Sequence, residues 1–419
     1  ASVGSIAPDK SRFMAGLSLI DMQTLEVLAQ QNLANAPYPI PANTNFNLQT
    51  NQGGSVFSPD GARLYSAFNV APVANPPARA NIAQLMFSDA DNLLIEQGIQ
   101  MPENLAGKMV ITPDGGNLFA LSESGLVQVP LAQLAQQPIA MPTATAVLLT
   151  TDQCGVTANQ RAQQITVRNM GGGNLGPVQP LLIDENNNPS GLGGVGGPGG
   201  GLPGGGGGVI IGPGGPIAIP GFPGQPANNA GNALLNTAPG VAAGGPTGNL
   251  TFTFNLTANR SIGTVSPAHN FLVQANNAVN LPPRVRVYQN TRNSEFRGEV
   301  RPIPVGISQN ERLTDIVFDN TRRRVYIANS GLNRVEVFDA RTNQFLAPIK
   351  VGQLPRSIAL SLDGSQMYVA NSGGENISIV DLDRGRQVGR IRMPPIPFNT
   401  NVALITPSVV AVTQRGLLV

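Results

Sequence analysis

The stretches VYIANSGLNRVEVFDARTNQ (residues 325–344) and MYVANSGGENISIVDLDRGR (residues 367–386) repeat one pattern, with Tyr326 and Tyr368 42 positions apart. Each copy belongs to a longer unit of four short runs of apolar and polar residues, joined by turns rich in Asp, Asn and Gly. Alternation with a period of two is typical of half-buried strands, and turns about every ten residues are typical of antiparallel sheets. The pattern therefore predicts one four-stranded antiparallel sheet per unit.

Weaker copies of the same unit occur elsewhere in the chain. Residues 54–68 and 108–134 carry a Pro-Asp-Gly turn between their first two runs, and residues 17–27 match the third and fourth runs. Residues 401–419 match a first and a second run. Counting first strands gives about five units, and a four-stranded repeat of about 42–44 residues has the size of a β-propeller blade.

Two motifs within the repeat carry a family resemblance. Tyr326-Ile327-Ala328-Asn329 and Tyr368-Val369-Ala370-Asn371 resemble the Tyr-Val-Thr-Asn repeat of bacterial and archaeal surface-layer-associated β-propellers. This resemblance implies an all-β propeller that is extracellular or lies at the cell surface. The residues that define the repeat, in structural rather than catalytic roles, are Tyr326, Asn329, Asp339, Tyr368, Asn371 and Asp381.

The two ends of the chain contain complementary parts of a unit. The N-terminal segment begins with third and fourth runs, and the C-terminal segment supplies a first and a second run. Propellers commonly join strands from both termini in one blade, because unpaired edge strands promote aggregation. We therefore expect the termini to share a blade.

A recurrent aspartate marks the turns. Asp60, Asp114 and Asp363 each precede a glycine between the first two runs of a unit. Aspartate side chains bind the backbone two residues on, and glycine accepts a positive φ, so this pattern favours Asx-type turns. Calcium binding would require several carboxylates that converge on one point, and we expect no metal site.

An insertion interrupts the array. The spacing predicts propeller in residues 1–140 and 284–419, separated by a β-sandwich in residues 141–283 that has its own strand signals. The phrase ITVRNMGGGNL (residues 165–175) resembles the strand and turn of bacterial immunoglobulin-like domains, in which a strand ends in Asn before a Gly-rich turn. Short alternating strands independently favour a small sandwich.

The insertion contains a Gly-rich tract, residues 191–224, and no charged residue lies between Glu185 and Arg260. The tract is either a flexible loop between two strands or an extended segment docked on its own domain or on a neighbouring subunit. Apolar islands of this kind mark interfaces when they are exposed. The candidate assembly residues are Val209, Ile210, Ile211, Ile217 and Phe222.

The chain offers few groups for catalysis. His269 is the single histidine and Cys154 the single cysteine, so a catalytic triad or a His/Cys metal site has little support. A net charge of +2 gives no electrostatic case for nucleic acid, and the apolar runs are too short for a membrane helix. We expect no cofactor and no enzymatic activity, with Cys154 structurally silent.

These observations favour a non-catalytic structural or adhesive propeller that is extracellular or in the cell envelope. Its expected partners are copies of itself, in a homo-oligomer or filament, or a cell-surface matrix. A propeller that binds a ligand or glycan on one face or in its channel is an alternative. A hydrolase or dehydrogenase of propeller type is a third possibility, because fold alone does not transfer function.

Overall fold

The structure is a computed structural model, and part of the chain is described. The described residues are 4–31, 52–70, 82–122, 124–143, 146–152, 160–183, 209–212, 215–218, 235–237, 245–246, 248–257, 269–275, 277–292, 301, 303, 312–394 and 404–419.

The helices and strands that these residues form are almost all β-strands. The helical exceptions are α1 (Leu131–Leu134) and a 3-10 turn at Ser330–Leu332. No helix among the described residues is long and apolar enough to cross a membrane. The predicted all-β class is confirmed.

The first third of the chain forms three antiparallel sheets in sequence order. Sheet 1 contains β1 (Ser5–Ile6), β2 (Arg12–Ala15), β3 (Ser18–Asp21) and β4 (Val27–Gln30). Sheet 2 contains β5 (Gln52–Phe57), β6 (Arg63–Val70), β7 (Ile82–Asp89) and β8 (Ile95–Met101). Sheet 3 contains β9 (Leu105–Ile111), β10 (Leu118–Ser122) and β11 (Leu126–Val129).

Two further sheets follow α1 and share one apolar core. Sheet 4 has the order β12 (Ala140–Pro142), β14 (Gln160–Asn169), β19 (Asn249–Thr257) and β18 (Leu235–Thr237). Sheet 5 has the order β13 (Ala146–Asp152), β21 (Arg284–Arg292), β20 (His269–Ala275) and β15 (Val178–Ile183). Buried residues of both sheets, such as Val167 and Val273, belong to a single cluster. A separate hairpin joins β16 (Val209–Gly212) to β17 (Gly215–Ala218).

The repeats at 325–344 and 367–386 lie in the last large sheets. Sheet 6 contains β22 (Leu313–Asp319), β23 (Arg324–Asn329), β24 (Arg334–Asp339), β25 (Gln344–Phe345) and β26 (Ile349–Lys350). Sheet 7 contains β27 (Pro355–Leu360), β28 (Gln366–Asn371), β29 (Asn376–Asp381) and β30 (Arg386–Arg392). A C-terminal hairpin pairs β31 (Ala411–Thr413) with β32 (Gly416–Leu418). Sequential antiparallel sheets of this kind are the blades of a β-propeller, whereas the count of about five blades stays a prediction.

Residues of the repeat motif stabilise the inner strands of sheets 6 and 7 through burial and side-chain hydrogen bonds. Tyr326 is 1% exposed and packs in a core that spans sheets 6 and 7. The Asn329 side chain donates to Glu336 Oε1 at 2.8 Å, and the equivalent Asn371 donates to Asn376 Oδ1 at 2.8 Å. Buried polar groups require such partners, so these asparagines join the ends of neighbouring strands.

The predicted Asx turns are present. Asp60 accepts the Ala62 N–H, Asp114 accepts that of Gly116, and Asp363 accepts that of Ser365, each at 3.0 Å. The glycine after each aspartate, at 61, 115 and 364, has φ between 69° and 72°. Asp21, Asp339 and Asp381, at the ends of third strands, accept backbone N–H groups in the same manner.

The arrangement of the termini corrects the expectation of a shared blade. Sheet 1 takes all four of its strands from residues 5–30, and within the described residues β31 and β32 pair only with each other. The first turn of sheet 1 was not predicted, because its positive-φ position is occupied by Lys10, with φ of 57°, and not by a glycine as at positions 61, 115 and 364. A first strand was expected at residues 401–407; of these, 404–407 are described and contain no strand.

The end of the insertion also differs from its prediction. Residues 284–306 match blade strands in their alternation, yet Arg284–Arg292 pairs with β13 in parallel and with β20 in antiparallel orientation. A period of two indicates a half-buried strand, but it does not identify the strands that pair with it. The domain boundaries themselves stay predictions.

Candidate functional site

A cleft of about 890 Å³ opens where sheets 1, 2, 6 and 7 meet. Its walls are rich in charge, and they carry no aromatic side chain among the described residues. The residues that line it are Arg12, Asp21, Thr24, Glu26, Leu28, Asp91, Pro348, Lys350, Val351, Gly352, Asn376, Gly385, Arg386, Gln387, Val388, Gly389, Arg390 and Arg392.

The cleft exists because sheet 1 docks against sheet 7. The Val27 N–H donates to Glu375 Oε2 at 3.0 Å, and the Glu375 N–H donates to the Val27 carbonyl at 2.8 Å. Asn376 Nδ2 reaches the Leu28 carbonyl at 3.3 Å. Gly374 permits this approach, because a Cβ there would collide with the Leu28 carbonyl oxygen. Residues almost 350 positions apart thus form one wall.

Ion pairs fix the opposite wall. Lys350 Nζ lies 2.6 Å from Asp89 Oδ2 and 2.6 Å from Asp91 Oδ2, and Arg12 lies 2.9 Å from Asp91 Oδ1. Burial opposes the charge of Lys350, but the hydrogen bonds that its ammonium group donates to Asp89 and Asp91 outweigh this effect and raise the pKa of Lys350. These contacts tie sheets 1, 2 and 6 together across the turn between β7 and β8.

Three arginines of strand β30, Arg386, Arg390 and Arg392, line the cleft and are exposed. Arg390 and Arg392 share one face of the strand, whereas a β-bulge at Val388 turns Arg386, the register partner of Asp381, to the other face. Arg390 lies 3.2 Å from Asp21 Oδ2, and Arg392 donates to the Thr24 carbonyl at 3.4 Å. Within the described residues, Arg386 and Arg392 form no ion pair with a carboxylate. We name this row the arginine ladder.

Glu26 lies at the base of the ladder and is 6% exposed. Its Oε1 is buried and has no hydrogen-bond partner in the described structure. Burial raises the pKa of Glu26 to about 7; the positive charges of Arg390 and Arg392 oppose the rise, while Asp21 and Glu375 add to it. The group therefore changes charge near neutral pH, as functional carboxyls often do.

The site brings together residues that the sequence patterns did not single out. The six motif residues support the sheets, and none of them lines the cleft. Of the turn aspartates, Asp21 does line it. The alternating arginines of RQVGRIR (residues 386–392) are the one local signal that was available. Glu26 has no such signal, because its burial depends on contacts with sheet 7.

The candidate assembly residues lie apart from the cleft. Val209 to Ile211 and Ile217 belong to the β16–β17 hairpin, in which Ile210 and Ile217 are register partners. Phe222 and Cys154 lie outside the described residues, whereas His269 begins β20. Among the described residues, no group of three or more His, Cys, Asp or Glu could hold a metal ion.

Comparisons with known proteins match parts of the chain. Residues 281–393, about a quarter of the sequence, match the family described as "Lactonase, 7-bladed beta-propeller". Antigen Lp49 of Leptospira interrogans (serogroup Icterohaemorrhagiae serovar copenhageni, strain Fiocruz L1-130) is 30% identical over 76 residues, which cover 18% of this chain and 17% of Lp49. The chain thus matches under a fifth of this relative.

Two solved structures are similar over long stretches but at low scores. The β-propeller domain of Cps50 (Swd1) from Myceliophteria thermophila covers 98% of this chain and 88% of its own, with 10% identity and a TM-score of 0.21. The dihydro-heme d1 dehydrogenase NirN in complex with DHE covers 93% of this chain and 53% of its own, with 12% identity and a TM-score of 0.18. At these scores neither superposition bears on function.

Proposed function

We propose that this protein is a non-catalytic structural or adhesive β-propeller of the extracellular space or cell envelope, which assembles with copies of itself. Its blades belong to the Tyr-Val-Thr-Asn type, and sheets 4 and 5 are an inserted immunoglobulin-like sandwich. Asn169 supports the latter assignment, because it ends β14 and its Oδ1 accepts the Gly171 N–H at 3.1 Å, as in the strand and Gly-rich turn of that resemblance. A relative named as an antigen is in keeping with display outside the cell.

The observation that carries the assembly proposal is the β16–β17 hairpin. It pairs Val209–Gly212 with Gly215–Ala218, and no third strand joins it among the described residues. A lone two-stranded hairpin is at best marginally stable in water, and its free edges can accept another chain. The hairpin lies within 74 residues that carry no charge to repel a neighbour. A second copy is the partner that satisfies its edges.

Light scattering tests this proposal. We expect the full chain to form species larger than a monomer as its concentration rises, and a variant lacking residues 191–224 to remain monomeric with the same far-UV spectrum. Replacing Ile210 and Ile217 with threonine keeps the length and β-propensity of the hairpin, and should weaken assembly at least tenfold. A full chain that stays monomeric at millimolar concentration would refute the proposal.

Hydrolysis of a lactone is the second candidate function, and one specific observation favours it. Glu26 is a buried carboxyl whose pKa of about 7 suits a general base, and Arg390 approaches it closely enough to oppose that pKa rise. In such a reaction Glu26 would take a proton from water while the water oxygen bonds to the lactone carbonyl carbon. Glu26 would return that proton to the ring oxygen as the acyl C–O bond breaks, and the carboxylate of the resulting hydroxy acid would pair with arginine.

An assay of acid release from simple γ- and δ-lactones separates the two functions. The non-catalytic proposal expects equal, background rates from the wild type and from Glu26→Gln. A wild-type rate at least a hundredfold above that of the variant, with half-maximal activity near pH 7, would instead establish the hydrolase. Glu103→Gln changes a half-buried carboxyl that does not line the cleft and serves as the matched control.

A further inference from the structure

We propose that the cleft binds a linear acidic polysaccharide, with its carboxylates on the arginine ladder of β30 and its hydroxyl groups on Glu26 and Asp21. This names the matrix partner of the proposed adhesive function. It rests on that function only in placing the protein outside the cell, and its test does not depend on self-assembly.

The ladder has the geometry of a polymer site. Alternate residues of a strand lie about 7 Å apart on one face, so the Cα atoms of Arg390 and Arg392 are separated by that interval. Arg386 lies further along β30 and also lines the cleft, beyond a β-bulge at Val388 that turns it to the other face of the strand. Arginine binds carboxylates through paired, planar hydrogen bonds. Arginines that are spread along a strand match carboxylates that recur along a polymer better than they match one small anion.

The charge balance of the cleft favours an anion. Five cationic side chains line it against three carboxylates. Asp91 and Asp21 are already paired with Lys350, Arg12 and Arg390. The ladder retains positive charge at Arg386 and Arg392, which lie open at the surface of β30. An anionic ligand therefore replaces no internal salt bridge at these two positions.

The composition of the walls distinguishes an acidic sugar from other partners. Bases of single-stranded nucleic acids stack on aromatic side chains, and the described lining contains none. Phosphates packed along a nucleic acid would also meet Asp21, Glu26 and Asp91. Sugar hydroxyls, in contrast, donate hydrogen bonds to carboxylates. A polymer that alternates carboxylates with hydroxyls matches both kinds of group in the cleft.

The carboxyl group of Glu26 has one oxygen that lacks a hydrogen-bond partner among the described residues. Glu26 lines the cleft, and its Oε1 is buried and has no hydrogen bond in the described structure. Native proteins leave few buried polar atoms unsatisfied, and each one calls for an explanation. A ligand hydroxyl at the base of the cleft would supply the absent hydrogen bond.

The same residue makes binding dependent on pH. Glu26 faces Asp21 on β3, Glu375 before β29, and Arg390 and Arg392 on β30. Its pKa is about 7, so acidification from pH 8 to pH 6 neutralises it and removes a negative charge from beneath the ladder. The pKa values of Asp21 and Asp91 are lowered, so these two cleft carboxylates stay ionised in this range. Affinity for an acidic polymer should therefore rise three- to tenfold as pH falls from 8 to 6.

Calorimetric titration with hexagalacturonate tests the inference. We expect the double variant Arg386→Gln/Arg392→Gln to lose affinity at least tenfold at pH 6. The control Arg356→Gln/Arg415→Gln removes the same charge from exposed positions outside the cleft and should change affinity less than twofold. Glu26→Gln should bind as tightly at pH 8 as at pH 6. A cooperative melting transition and an unchanged far-UV spectrum show that each variant folds.

Several outcomes would overturn the proposal. Absence of binding by the wild type, or an equal loss in the control double variant, would show that the ladder is no site. If fully methyl-esterified hexagalacturonate bound as tightly as hexagalacturonate, the carboxylate charges of the ligand would have no role in binding. Tighter binding of polyphosphate or of a single-stranded oligonucleotide would assign the cleft to phosphate polymers. None of these results depends on the oligomeric state that tests the proposed function.

Discussion

Replacing Tyr326 with alanine should lower the free energy of unfolding by about 3–5 kcal/mol, the range for truncating a buried aromatic residue. The ring is 1% exposed and packs in the core shared by sheets 6 and 7. Its removal leaves a cavity beside Val337 and Met367, and the rigid strands around it can close only part of that space. Tyr326→Phe keeps the ring and should cost less than about 1 kcal/mol.

The repeat provides a matched control at the equivalent position. Tyr368 occupies the same place in its unit but is only half-buried, and its hydroxyl donates to Gln366 Oε1 at 3.1 Å. Tyr368→Ala should therefore cost about half as much as Tyr326→Ala, since less apolar surface is lost. Urea denaturation followed by circular dichroism measures both. Equal losses for the two variants would mean that Tyr326 is no core residue.

The difference between these tyrosines indicates how far sequence reasoning extends. The repeat predicted the strands and their turns, because Asx turns and positive-φ glycines are local chemistry that four or five residues specify. It did not predict which copy of the motif is buried, because burial depends on the neighbouring sheet. The turn at Lys10 was missed for the opposite reason, since the residue at the positive-φ position is not the expected glycine.

Local sequence patterns do not predict the cleft. Its wall depends on Val27 meeting Glu375, two residues separated by 348 positions. Strand periodicity gives each sheet a buried and an exposed face, but it does not state which sheets become neighbours. The sequence shows arginines recurring along β30, but it does not show the β-bulge at Val388 that turns Arg386 to a different face from Arg390 and Arg392. Their function as a ladder requires sheet 1 opposite them, which the sequence alone did not provide.

The second large effect is expected at Glu26, and it depends on pH. Burial raises the pKa of this carboxyl in the folded protein from the ordinary 4.5 to about 7. Below pH 4.5 the group is protonated in both the folded and the unfolded chain, so it adds no penalty. Between pH 4.5 and 7 the unfolded chain is ionised while the folded chain keeps its proton, so stability falls across this window and the loss is complete above pH 7. At about 1.4 kcal/mol per pH unit, the loss is about 3 kcal/mol.

Glu26→Gln should remove this dependence, because the amide is neutral at every pH and has nearly the same shape. The variant should match the wild type near pH 4.5 and exceed it by about 3 kcal/mol at pH 8. Urea denaturation at pH 5, 6, 7 and 8 measures the difference. Hydrogen bonds from the hydroxyls of Ser124 and Ser122 lower the pKa of the half-buried Glu103, so Glu103→Gln should show no upward trend over this range. A constant difference between Glu26→Gln and the wild type would show that Glu26 is ionised throughout, and that the base of the cleft is more polar than its burial indicates.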